Sequence, residues 1–189
     1  MTVSKNRNLN SEDELTKIVK QSGVNSWNGL IEFIQHLPYG RNNNRSDLTL
    51  VLTEKKGTCS SKHALIKELA DRNKIPQIKL ILGMYKMNHH NTPKIGNVLL
   101  EKSIEYLPEA HCYLKINNVR TDFTTKKSAF KKIENDIVKE WEITPNQVSE
   151  YKVDLHKKFL KKWLSSTEIA LDFDEIWRLR EQCIANLTE

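Results

Sequence analysis

A cysteine placed to become a nucleophile is the first chemical feature of this chain. Cys59 lies in Gly57-Thr58-Cys59-Ser60-Ser61-Lys62-His63-Ala64-Leu65, a glycine turn followed by a hydroxyl cap and the first turn of a helix. Thr58 is a favoured N-cap residue, and Ala64, Leu65, Leu69 and Ala70 recur at core-facing spacing. A thiol in that first turn meets unpaired backbone N–H groups and the positive end of the helix dipole, both of which favour thiolate. Acyl-transfer chemistry there also needs a base, and a group to orient that base.

The stretch from Ala110 to Thr124 supplies both. It carries the strongest hairpin signal in the chain, two alternating strands around Asn117-Asn118, whose side chains tolerate positive φ. With those two residues as the loop, Ile116 pairs with Val119, Leu114 with Thr121 and Cys112 with Phe123, an almost wholly apolar face. The other face, turned away from the core, sets Tyr113 against Asp122, Lys115 against Arg120 and His111 against Thr124. His111 and Asp122 are then diagonal neighbours, about 7–8 Å apart at Cα and closer at their tips. A carboxylate so placed accepts a hydrogen bond from the imidazole and fixes its tautomer.

With Gly57-Thr58-Cys59, then Ala110-His111-Cys112-Tyr113-Leu114, then Arg120-Thr121-Asp122-Phe123-Thr124, the chain resembles the transglutaminase-like superfamily of papain-like cysteine enzymes. The segment Asn73-Lys74-Ile75-Pro76 before a strand fits the usual connection from the nucleophile helix into the sheet. The resemblance spans about residues 40–125 and does not reach the last 60. It implies an α+β fold, a papain-like or transglutaminase-like core in which the nucleophile helix packs on an antiparallel sheet, with extra N- and C-terminal helices. It also implies a triad of Cys59, His111 and Asp122 acting on an amide or thioester carbonyl through a thioester intermediate. Protease, amidase, deamidase and crosslinking chemistry all fall within it. Ser60 stands where many relatives place tryptophan beside the nucleophile, a departure that points away from conventional protein crosslinking.

The Cys59 N–H would give one oxyanion donor. Papain-like enzymes draw the second from an upstream side chain, so Asn42 and Asn43 are candidates, with Trp27 more remote. Tyr113 and Arg120 flank the catalytic face and would shape a substrate groove. His63, one helical turn after Cys59, is read as a packing or surface residue rather than a second base. Adjacent His89 and His90 lack metal-ligand spacing, so no metal and no cofactor is expected.

These residues need elements to position them. Residues 1–10 are expected to be disordered, with a capping-box helix starting at Ser11 and a second helix after Asn25 or Ser26 that ends before Pro38. Residues 38–47 form a polar loop too long to be a mere connector. Leu48 to Leu52 is expected to be extended, the Cys59 helix to end near Asn73, and Gln77 to Met87 to form a largely buried strand. Residues 88–109 suggest a lid or rim, Ile137 to Ile143 another strand, and Pro145 the start of a helix to about Leu164. Phe173-Asp174 precedes a terminal helix in which Ile176, Leu179, Cys183 and Leu187 form one stripe. The whole, residues 1–189, is expected to be one domain with a C-terminal helical extension from about 137.

Composition bounds the rest. Three widely spaced cysteines among 189 residues give no disulfide framework. No stretch approaches the roughly 18 apolar residues that span a bilayer, and the polar N-terminus lacks a signal-peptide core, so a cytoplasmic protein is expected. The net charge of +6 favours acidic partners, and the substrate is expected to be peptide or amide-containing with that bias. Lys157, Lys158, Lys161 and Lys162 recur as the wet face of an amphipathic helix, which argues against nucleic-acid binding. The rival class is a non-catalytic binding module that keeps the fold and uses the groove or the basic helices. Oligomeric state is left open.

Overall fold

Helix α4, Cys59–Arg72, is the centre of the architecture because it is buried along most of its length. The computed structural model describes residues 6–188. Three helices precede α4: α1 (Glu14–Gln21), α2 (Trp27–His36) and the single turn α3 (Leu50–Thr53). Strands β1 (Ile78–Met87), β2 (Leu107–Ile116), β3 (Val119–Thr121) and β4 (Ile137–Ile143) form one antiparallel sheet in the order β3-β2-β1-β4. Helices α5 (Glu150–Leu164) and α6 (Phe173–Ala185) follow. The result is an α+β fold with α4 on a four-stranded sheet and further helices at both ends. Among the described residues no helix is long and apolar enough to cross a membrane.

The hairpin forms in the expected register. Ile116 faces Val119 and Leu114 faces Thr121, and Asn117 and Asn118 take φ of 50° and 64°. Two features differ. Val119 is 65% exposed, because β3 is a short edge strand lying beyond the core. The ladder also stops at Thr121, so Cys112 has no partner on β3 and Asp122 to Thr124 leave the strand. This early stop leaves one edge of β2 open beside the start of α4.

Both faces of the sheet are covered. Leu80, Leu82, Met84, Cys112 and Leu114 pack with α1, α2 and α4 into one core. Ile81, Tyr85, Met87, Leu107 and Tyr113, on the alternate positions, pack under α6, Leu160 of α5 and the 93–104 segment. The expectation that the His111 face turns away from the core is therefore corrected. Strands covered on both sides show continuous apolar runs, and Leu80-Ile81-Leu82 is such a run.

Other differences have local causes. Residues 7–9 are ordered: Leu9 N–H donates to the Asn25 carbonyl (2.9 Å), Trp27 N–H to that of Arg7 (2.8 Å), and Leu9 is 1% exposed. The expected disorder at residues 1–5 lies outside the described residues. Asp13, not Ser11, caps α1, accepting from Thr16 N–H at 3.1 Å, while the Ser11 N–H is drawn to Asn73 Oδ1 at 2.9 Å. Leu50 to Thr53 is helical rather than extended because Asp47 bends the preceding turn, accepting from Thr49 N–H at 2.9 Å and Thr49 Oγ1 at 2.6 Å. Pro145–Val148 forms a tight 3-10 turn before α5 begins at Glu150. The 88–109 excursion is no lid: Ile95, Leu99 and Ile104 are buried in the second core, and Asn186 Nδ2 clamps the Ile95 carbonyl at 3.0 Å.

Candidate active site

The turn before α4 is built so that Cys59 must sit at a free helix end. Gly57 bridges to the Pro38–Gly40 segment, donating to the Pro38 carbonyl at 3.2 Å and accepting from Gly40 N–H at 3.3 Å. A Cβ on Gly57 would lie 2.9 Å from Lys62 Cγ, so the crossing requires glycine. Thr58 then caps the helix reciprocally with Ser61: Thr58 N–H donates to Ser61 Oγ at 3.0 Å and Ser61 N–H to Thr58 Oγ1 at 3.4 Å.

Cys59 meets β2 where β3 has stopped. The Cys112 N–H, unpaired by any strand on that side, is turned to the Cys59 sulfur and helps to lower its pKa. The His111 imidazole stands beside the same sulfur, near enough for the two charges to act on each other, and its Nε2 lies 3.0 Å from Asp122 Oδ2, which leaves Nδ1 on the thiol side. Asp122 is fixed in turn, its Oδ1 accepting from Thr124 N–H at 2.9 Å and Thr124 Oγ1 at 2.6 Å. His111 thus stands between Cys59 and Asp122, hydrogen-bonded to the carboxylate and electrostatically coupled to the sulfur.

Burial alone would push the Cys59 thiol up. The charges of His111 and Lys152, together with the neighbouring Cys112 N–H, reverse this and bring it down to about 6. His111 resists burial in the opposite sense: Asp122 and the Cys59 charge hold its imidazole well above its ordinary value. Asp122, though buried, is kept well below the usual carboxylate range by His111. These shifts all favour a thiolate–imidazolium pair backed by a carboxylate.

Three contributors were not evident in the sequence. His63, fully buried, has Nδ1 2.8 Å from the Cys59 carbonyl and accepts from Phe123 N–H on Nε2 at 2.8 Å. It joins the Cys59 helix to the segment bearing Asp122, and burial lowers its pKa to about 4, so it is neutral. Lys62 is also buried, and its Nζ donates to the carbonyls of Leu37 (2.5 Å) and Thr124 (2.7 Å). Lys152 of α5 donates to Ser60 Oγ at 2.7 Å. The only signals were one-turn spacing from Cys59 for His63 and an unremarkable charge for each lysine.

The remaining expected site residues lie elsewhere or do other work. Asn42 borders the cleft, but its Nδ2 is committed to the Leu50 carbonyl (3.2 Å), Glu54 (3.1 Å) and the Lys56 carbonyl (3.0 Å), and its Oδ1 accepts from Ser61 Oγ (3.0 Å). It fastens the 41–56 loop to α4 and has no hydrogen left for an oxyanion. Asn43 is exposed outside the cleft, its N–H held by Glu54 at 3.3 Å. Trp27 is buried in the first core. Tyr113 is buried in the second core and donates to Glu140, which Arg120 also holds through Nε at 2.9 Å and Nη2 at 3.0 Å. Tyr113 and Arg120 therefore brace the sheet and do not line the groove.

The cleft in front of Cys59 is bordered instead by Tyr39, Arg41, Arg45, Lys152, Trp177 and Arg180. The Tyr39 phenol has no hydrogen-bond partner among the described residues. Burial and the Cys59 charge hold it protonated. Behind it, Glu109 of β2 takes Arg180 in a two-pronged ion pair, Nε–Oε2 at 2.7 Å and Nη2–Oε1 at 2.5 Å. Among the described residues no group of three or more His, Cys, Asp or Glu side chains is arranged to hold a metal ion. Comparison with protein-family models, curated proteins and solved structures finds no match.

Proposed function

We propose that this protein is a cysteine acyl-transfer enzyme of the transglutaminase-like, papain-like kind, cleaving an amide or related acyl bond through a thioester on Cys59. The observation that carries the reading is the His111 imidazole held by Asp122 at 3.0 Å on one side, with its charge acting on the Cys59 sulfur on the other. The Cys59 thiolate attacks the carbonyl carbon, and the developing oxyanion is met by the Cys59 N–H and the partnerless Tyr39 hydroxyl. His111 delivers its proton to the leaving amine as the carbon–nitrogen bond breaks. In the second half, His111 takes a proton from water or an amine, which displaces the thiolate and releases the product. Asp122 holds the ring through both halves.

An activated ester tests this without knowledge of the natural substrate. With p-nitrophenyl acetate, the wild-type chain releases a burst of nitrophenolate and carries an acetyl group on Cys59, detected by peptide mass spectrometry. Cys59→Ala gives neither. Acetylation spread over lysines, with no burst, contradicts the reading and favours a binding module.

A further inference from the structure

The charges around the cleft are unbalanced in a way the acyl-transfer chemistry does not require. Arg41, Arg45, Lys152 and Arg180 border one cavity of about 60 Å³, room for a few water molecules or one small group. Arg180 is saturated by Glu109 and by Glu181, at 2.6 Å, and Arg41 reaches Glu181 at 2.6 Å. Arg45 and Lys152 have no carboxylate partner among the described residues. Lys152 is turned to Ser60, next to the sulfur, where its charge serves the thiolate. Arg45 stands at the exposed rim, where burial and the neighbouring guanidinium groups of Arg41 and Arg180 lower its proton affinity. Glu109 and Glu181 offset Arg180 and Arg41, so the uncompensated positive charges at the cavity are those of Arg45 and Lys152, and an entering anion relieves their repulsion.

We propose that this rim is an anion subsite, and that the acyl substrate carries a carboxylate within a few bonds of the carbonyl under attack. The inference rests on Cys59 being the nucleophile and adds the substrate class. Guanidinium groups fit a planar carboxylate with paired N–H donors, and the cavity admits a small acid more readily than a bulky or apolar acyl group. Arg45 and the outer face of Arg41 hold the carboxylate, while Lys152, with no carboxylate partner among the described residues, keeps the wall positive. The subsite would direct the enzyme to acidic side chains or chain-terminal carboxyl groups.

Two alkylating probes of nearly equal size test the subsite on the full-length protein. Iodoacetate and iodoacetamide both form a carbon–sulfur bond to Cys59 with loss of iodide, and differ in charge. The expected result is a Cys59 rate ratio, iodoacetate over iodoacetamide, well above that of free cysteine. The His111 imidazolium also attracts anions, so the deciding readout is the change of ratio in variants. Arg45→Gln should lower it about tenfold, the size of one charge-assisted hydrogen bond, and the Arg41→Gln/Arg45→Gln pair further. Lys132→Gln, which removes one charge outside the cleft, should keep the wild-type ratio. An unchanged ratio in the double variant, with fast iodoacetamide labelling retained, overturns the subsite alone. Labelling of wild-type Cys59 by both probes as slowly as Cys112 overturns the nucleophile reading beneath it.

Discussion

At the scale of single residues, the site works by fixing protonation states in advance. A thiol lowered to about 6 favours the thiolate at neutral pH, so in the proposed mechanism attack needs no prior deprotonation. His63 is the less visible partner, because it joins the Cys59 carbonyl to the Phe123 N–H and so sets the distance between nucleophile and orienter. His63→Ala is expected to leave the Phe123 N–H unpaired, costing about 1–3 kcal/mol of stability in denaturant melts. It should also lower kcat more than it raises KM. His63→Gln, which can still accept from Phe123, should recover part of both, whereas a purely space-filling role predicts recovery by Leu instead.

At the scale of elements, the decisive event is that β3 ends early. Had the ladder continued to Phe123, Cys112 would have been paired and α4 could not have reached its N–H. The helix cap, the hairpin register and the His111–Asp122 diagonal were legible because each follows from short-range rules, namely a Thr58 cap, an Asn117-Asn118 turn and the two-residue period of a strand. The second covered face was not legible from the hairpin, since much of its cover comes from Leu160 and α6, far along the chain. The same distance hid Lys152 and Arg180, and the lost role of Asn42 depended on the carbonyls of Leu50 and Lys56 and the Glu54 carboxylate. Gly83 shows how tightly the second face is filled. A Cβ there would sit 2.7 Å from Tyr113, whose ring stacks on His111 with centroids 6.0 Å apart. Gly83→Ala is therefore expected to cost about 1–3 kcal/mol by thermal melting. It should also slow Cys59 chemistry through displacement of His111, and unaltered melting and labelling would refute the coupling.

At the scale of the whole molecule, the C-terminal helices complete the site. Glu109 of the sheet and Arg180 of α6 form a buried ion pair, and breaking one side strands the other charge. Glu109→Ala should destabilise the protein by about 3–5 kcal/mol, whereas a value under 1 kcal/mol would mean the pair is relaxed in solution. The buried groups also set the pH response. His63 binds its proton near 4 when folded and near 6.5 when unfolded, and Glu109 near 2 against 4.5. In both cases the unfolded chain binds more protons, so stability is full above those unfolded values and falls as pH drops from about 6.5 toward 2. Cys59, lowered, and His111, raised, act in opposite directions above that range and largely offset each other as one ion pair. Urea midpoints that rise on acidification below pH 6 would contradict this sign.

The most direct test of the central claim is the pH profile of iodoacetamide labelling, resolved for each cysteine by mass spectrometry. Cys59 is 7% exposed at the cleft floor, while Cys112 and Cys183 are 0% exposed. Access alone would make Cys59 faster at every pH but would leave its midpoint near that of an ordinary thiol. The account predicts a Cys59 rate that reaches its plateau by neutral pH with a midpoint near 6, and His111→Gln should move that midpoint upward. A Cys59 rate still rising through pH 8–9 in the wild-type chain, unaffected by His111→Gln, would contradict the thiolate–imidazolium site.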